Sequence, residues 1–238
     1  MSSPTPKLKF DQIRQRWIEA ALKNRPNGSS VLDVGAGECA NRVYARHLDY
    51  TSQDIAQYDG SGDGAGLQTG QFDFSEIDIV CDLLDIPEDR KFDTILFIEV
   101  LEHVPDPAAA LAKLGRLLNK GGELILTAPF CSLTHFSPHF YCTGFSRYFY
   151  ETHLEKAGLD IVEMTANGNY FDWLSHETGR VPRLHKRYTN RRIGPLGRGL
   201  LWLTRAYLRR ISDLEKSSAA ASSSELLTNG YLVRATPK

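Results

Sequence analysis

Acidic residues are missing from one long stretch of this 238-residue chain: between Gly179 and Ser212 there is no Asp or Glu, against ten Lys or Arg. The remainder carries 18 basic and 29 acidic side chains, so a formal charge of −1 conceals a basic segment on an acidic body. Cysteine is scarce as well. Cys39, Cys81, Cys131 and Cys142 follow no scaffold spacing, which excludes a fold stapled by disulfides. No uninterrupted apolar run approaches the ~20 residues that a membrane-crossing helix needs. The opening Met1-Ser-Ser-Pro-Thr-Pro lacks an apolar signal core, and with the cysteines this predicts a cytoplasmic setting. With 42% hydrophobic and 24% charged residues, the chain is neither disordered nor fibrous.

What is present is an alternation of helical and strand patterns. Phe10, Ile13, Trp17, Ile18 and Leu22 recur at helical spacing before Pro26 and Gly28 end the pattern. Val31–Val34 reads as a buried strand running into Gly35-Ala-Gly37, and Ala40, Val43, Tyr44, His47 and Leu48 return at helical spacing. Further strands are expected at 50–55, 77–82, 94–100 and 123–128. A helix over 107–118 is expected to be capped by Asp106 and stopped by Gly121-Gly122. A helix over 147–157, a strand over 160–164, a basic helical insertion over about 172–215 and a last strand over 231–235 complete the chain. The expectation is one domain over 1–238, with a mostly parallel sheet covered on both faces in its core, 29–165 and 229–236.

Two glycines after a strand let backbone approach a ligand closely. Gly35-Ala-Gly37-Glu-Cys-Ala40 satisfies a dinucleotide pattern as well as that of S-adenosylmethionine sites, so the glycines do not separate the two. Asp33 separates them: a carboxylate at the strand's end repels a diphosphate but accepts a hydrogen bond from an α-ammonium. Asp54, 19 residues after Gly35, ends the second strand where an acidic side chain can bind ribose hydroxyls, and Asp82 ends the third, within reach of an adenine amino group. Asp85, just before Pro87, reads as a turn residue.

The blocks Val31-Leu-Asp-Val-Gly-Ala-Gly37, Asp82-Leu-Leu-Asp-Ile-Pro87, Phe92-Asp-Thr-Ile-Leu-Phe-Ile-Glu-Val-Leu-Glu-His-Val-Pro-Asp-Pro107 and Leu117-Leu-Asn-Lys-Gly-Gly-Glu-Leu124 resemble the successive motifs of class I S-adenosylmethionine-dependent methyltransferases of the small-molecule, type 11-like kind. The resemblance covers roughly 29–165. It implies an α/β, doubly wound, Rossmann-like sheet of seven strands in the order 3-2-1-4-5-7-6, the seventh antiparallel, with the helical basic insertion before the last strand. It assigns Asp33, Gly35 and Gly37 to the methionine end of the cofactor, Asp54 and Ile55 to the ribose, Asp82 and Leu83 to the adenine, and Glu99 and Val100 to the methionine and sulfonium. Cys39 departs from the family, standing where glycine is common.

Methyl transfer needs a base only when the acceptor must lose a proton. His103, in Glu102-His-Val-Pro, and His135 and His139, in the loop after the fifth strand, are the candidates, His135 first. Each has a bland alternative as a turn or loop residue. Cys131, His135, His139 and Cys142 match no common zinc spacing, so no metal is expected. Gly60-Ser-Gly-Asp-Gly-Ala-Gly66 opens no apolar-periodic helix and reads as a mobile loop beside the cofactor rather than a phosphate site.

The basic insertion suits a lid, a holder for a phosphate- or carboxylate-bearing acceptor, or a peripheral membrane contact through 180–211. It carries few aromatics for stacking on nucleic acid, so none is expected as a partner. The expected function is methyl transfer to an oxygen, less readily a nitrogen, of a small anionic or sugar-containing acceptor. The rivals are a non-catalytic S-adenosylmethionine-binding scaffold and an NAD-dependent oxidoreductase.

Overall fold

The computed structural model describes residues 10–219 and 221–238. The strands are β1 (Ser30–Val34), β2 (Asp49–Asp54), β3 (Ile79–Val80), β4 (Phe92–Ile98), β5 (Leu118–Pro129), β6 (Leu159–Ala166) and β7 (Gly230–Pro237), with buried apolar residues concentrated in the central β1, β4 and β5. They join in one sheet of order β3-β2-β1-β4-β5-β7-β6, with β1 to β5 parallel at each contact and β7 antiparallel to β5. This is the Rossmann-like order that the resemblance implied.

The chain divides into two compact units, 1–165 with 230–238, and 166–229. In the first, α1 (Phe10–Lys23) turns Ile18 and Leu22 inward against Val31, Ala45, Leu96 and Ile125. The helix α2 (Pro107–Leu117) starts where the Asp106 carboxylate accepts from the Ala109 amide at 2.9 Å, with Pro107 at a position whose N–H has no helical partner anyway. It ends directly in β5, whose register shifts between the Phe92 and Thr94 pairings to take up Gly121 and Gly122. The helix α3 (Arg147–Lys156) ends at Gly158 in a left-handed turn.

In the second unit α4 (Tyr170–Thr189), capped by Asn169, packs on α5 (Pro195–Lys216). Asp172 ties the pair by accepting from Ser212 Oγ at 2.7 Å and Lys216 Nζ at 2.5 Å. No helix among the described residues is long and apolar enough to cross a membrane.

Two local expectations are corrected. The segment after Gly37 is a 3-10 turn over Ala40–Tyr44 rather than an α-helix; Val43 is exposed, so the apolar residues there form no single buried face, and β2 begins at Asp49. The third strand shrinks to two residues, because Ile77 and Asp78 are spent on turn bonds to Phe74 and Ser52.

Candidate functional site

The carboxyl ends of β1, β2 and β4 open onto a cleft of about 470 Å³. Parallel strands place their ligand sites at this end. Gly35, Gly37, Asp54, Ile55, Asp82, Leu83, Glu99, Val100, His103 and His139 all line it, so the topology gathers most of the sequence-derived residues in one place. Gly35 has φ +67°, and a Cβ there would lie 2.5 Å from a Val100 methyl, so the crossing of β1 and β4 leaves no room for a side chain.

The acidic residues hold the loops as well as facing the cleft. Asp54 accepts from the Gly37 amide at 3.0 Å and from the Ala56 amide at 2.8 Å, which ties the glycine turn to the end of β2. Asp82 accepts from the Leu84 amide at 2.8 Å and caps the turn that follows β3. Glu99, at φ +56°, accepts from Thr127 Oγ1 at 2.9 Å and pairs with Arg14 at 3.0 Å. A non-glycine residue in that backbone region stores strain of order 1–3 kcal/mol, a recurrent feature of functional sites. Cys39 keeps the same left-handed geometry at φ +55°, so the departure from glycine leaves the turn's shape intact.

Asp33, expected to meet an ammonium group, does not line the cleft. It is 1% exposed and sits behind the turn, where its Oδ2 accepts from Tyr50 Oη at 2.7 Å and Asn41 Nδ2 at 3.1 Å. Burial raises its pKa to about 6 despite those bonds. The carboxylate braces β1 against β2 through Tyr50.

His135, the first candidate for a base, also stands back from the lining. It lies behind His103, their Nε2 atoms 3.1 Å apart, and Glu102 Oε1 is 3.8 Å from the His103 nitrogen and 3.9 Å from that of His135. Burial lowers the pKa of His103 to about 4, so the ring is neutral; burial, and then the charge of Glu99, raise that of Glu102 well above the ordinary range. Among the described residues these three are the group of His, Cys, Asp and Glu whose ligand atoms lie within 4.8 Å of one another; Cys131, His139 and Cys142 do not join it.

The glycine-rich segment is laid against this cluster rather than left free. Leu67 bridges to His135 in parallel, and Gln68 and Asp63 bond Ser137. A Cβ on Gly62 would fall 1.8 Å from the Ser137 carbonyl oxygen, so glycine permits this contact. The residues flanking it deliver Tyr58, Phe72 and Phe74 to the cleft, with Tyr58 stacked on Phe136 at 4.6 Å. Sequence reasoning missed these aromatics and Glu102, because their placement depends on loop-to-loop pairing with no local periodicity.

A sequence model of the methyltransferase domain matches residues 9–172. The chain belongs to this methyltransferase family. It is 33% identical over 148 residues to the ubiquinone biosynthesis O-methyltransferase of Alkalilimnicola ehrlichii, covering 50% of this chain and 57% of that one. It is 40% identical over 105 residues to the tRNA U34 carboxymethyltransferase of Nautilia profundicola, covering 40% and 33% respectively. The chain spans about half the length of the first curated relatives it matches. Among solved structures, Haemonchus contortus phosphoethanolamine N-methyltransferase 2 in complex with S-adenosyl-L-methionine shares the fold at TM-score 0.54 and 16% identity, over 95% of this chain and 53% of that one. So does the [4+2]-cyclase SpnF, at TM-score 0.53 and 15% identity, over 97% and 84%.

Proposed function

We propose that the cleft binds S-adenosylmethionine and that the chain transfers its methyl group to an oxygen, less readily a nitrogen, of a small anionic or sugar-containing acceptor. The observation that carries this reading is the charge of the lining: three carboxylates, Asp54, Asp82 and Glu99, and no Lys or Arg. Such a lining suits a ligand with a sulfonium and an ammonium and repels a diphosphate. The short 3-10 turn after Gly37 also lacks the α-helix terminus on which dinucleotide phosphates rest. The volume lies within the range of small-ligand sites, and the residues fit the cofactor.

In this reading Asp54, with Ile55 beside it, takes the ribose hydroxyls while holding the glycine turn. Asp82 and Leu83 border the adenine, and the aromatics on the glycine-rich segment wall it in. Glu99 receives the ammonium that the burial of Asp33 withholds from that residue, and Gly35, Gly37 and Val100 shape the methionine end. When bound, the cofactor supplies a methyl group already activated by the positive sulfur. The chain's task is then to hold the acceptor oxygen in line and make it nucleophilic. At that end of the cleft stand His103, His139, Phe136 and Tyr141, with His135 and Glu102 behind His103.

The ubiquinone-pathway relatives favour oxygen as the accepting atom. The exposed side of α5 supports a second element of the proposal, contact with an anionic membrane surface: Leu196, Leu200, Leu203 and Tyr207 recur at helical spacing, each more than half exposed, beside Arg198 and Arg210. Calorimetry with S-adenosylmethionine and with NADH tests the cofactor, with saturation expected for the first alone. Saturation by NADH alone would sink the reading. Because the [4+2]-cyclase SpnF shares the fold, release of S-adenosylhomocysteine in a cell extract is the test of turnover. Methylated RNA rather than a methylated small molecule in that extract would replace the acceptor class.

A further inference from the structure

His103 Nδ1 lies 2.5 Å from the carbonyl oxygen of His139, and His135 Nδ1 lies 2.8 Å from that of Leu133. A carbonyl only accepts, so both rings carry a proton on Nδ1, which leaves Nε2 of each ring as the atom available to bind a cation. The two Nε2 atoms face each other across 3.1 Å. The third group, Glu102 Oε1, is 3.8 and 3.9 Å from the two nitrogens, too far for a hydrogen bond to either. Its other oxygen is buried without a hydrogen-bond partner among the described residues. A proton can join two of these atoms; a cation can join all three. The point equidistant from them in their plane lies about 2.1 Å from each, the length of a zinc bond to imidazole or carboxylate.

We propose that Glu102, His103 and His135 bind one divalent transition-metal cation, Zn²⁺ in first place, departing from the sequence-based expectation of no metal. The carbonyls of His139 and Leu133 act as the outer partners that fix the tautomer and orientation of each imidazole. Three protein ligands leave a coordination position for substrate or water, the pattern of catalytic rather than structural zinc. His103 stands in the wall of the cleft, so the cation borders its acceptor end.

The metal's role rests on the methyltransferase reading, although the site itself does not. An acceptor hydroxyl that coordinates the cation loses its proton to water. The oxygen then forms a bond to the methyl carbon as the carbon–sulfur bond breaks, leaving a methyl ether, S-adenosylhomocysteine and one proton.

The test uses the full chain stripped with EDTA and titrated with Co²⁺, then with Zn²⁺ in competition. The expected result is one equivalent of Co²⁺ with a visible d–d absorption band that Zn²⁺ abolishes. His135→Ala and Glu102→Gln each weaken binding by about 10- to 100-fold. Cys131→Ser and His139→Ala leave it unchanged, since His139 contributes only its backbone carbonyl. The absence of both the band and Zn²⁺ binding overturns the proposal, as does unchanged binding in His135→Ala, a partly exposed position that decides the matter if Glu102→Gln fails to fold. Loss of binding in Cys131→Ser would also overturn it, in favour of a cysteine-containing set. Calorimetry with S-adenosylmethionine on the same samples separates the two readings: metal without cofactor binding leaves the site and removes the methyltransferase role, and cofactor without metal binding does the reverse.

Discussion

Asp33 and Glu102 are both 1% exposed carboxylates close to the carboxyl ends of neighbouring strands, and they have opposite surroundings. Asp33 is met by a tyrosine hydroxyl and an asparagine amide, which complete it within the fold. Glu102 has two imidazole nitrogens at a distance that suits neither hydrogen bonding nor neglect, and an oxygen with no partner. A buried charge that the fold satisfies belongs to the architecture; one that the fold leaves unsatisfied points to something it receives.

The largest effect that would break this contrast is on turnover. Glu102→Gln is expected to lower the rate of S-adenosylhomocysteine release about 100-fold while cofactor affinity stays within about threefold. His135→Ala should behave alike, and unimpaired turnover in both would place the cluster outside the chemistry.

Asp54→Ala sharpens the contrast from the cofactor side. It removes the proposed ribose contact and two bonds that hold the glycine turn, so calorimetry should show binding weakened by at least about tenfold, in line with a lost charge-assisted hydrogen bond.

Asp33→Asn is expected to act on stability instead. The folded pKa of about 6 lies above the ordinary value near 3.9, so the contribution of Asp33 is fully present below about pH 3.9 and is lost as pH rises through about 6. At pH 7 the substitution should stabilise by about 1–2 kcal/mol, with no gain at pH 4, read as the difference between urea unfolding curves. A loss of cofactor affinity above about tenfold would instead return Asp33 to the ammonium role that its burial denies.

The smallest effect concerns α5. Leu200→Ser with Leu203→Ser should reduce sedimentation with vesicles of equal phosphatidylglycerol and phosphatidylcholine by a few-fold, and leave sedimentation with pure phosphatidylcholine as low as before. Equal sedimentation of variant and parent would remove the membrane contact.

Much of the fold was legible because burial repeats locally. The runs Val31–Val34, apolar but for Asp33, and Ile95–Phe97 mark buried strands, and Asp106 with Pro107 marks the start of α2 from the sequence alone. The sheet order came from the family resemblance; no periodicity encodes it. The site was legible in part. Asp54, Asp82 and Glu99 end strands and reach the cleft as strand ends do, whereas Asp33 faces away, toward a hydroxyl from β2 that only the sheet register supplies. His103 and His135 were both singled out, but not as a pair and not with Glu102. The meeting of His135 with His103 requires the loop after β5 to fold back across the end of β4, against the glycine-rich segment that the sequence alone reads as a mobile loop beside the cofactor.

The sheet order has one consequence for how this chain could diversify. β6 and β7 are neighbours in the sheet, and residues 167–229 connect them. Within that connection the stretch from Gly179 to Ser212, with ten cations and no anions, is an elective passenger on the connectivity, free to be lengthened, recharged or exchanged while the strand ends that build the cleft keep their registration.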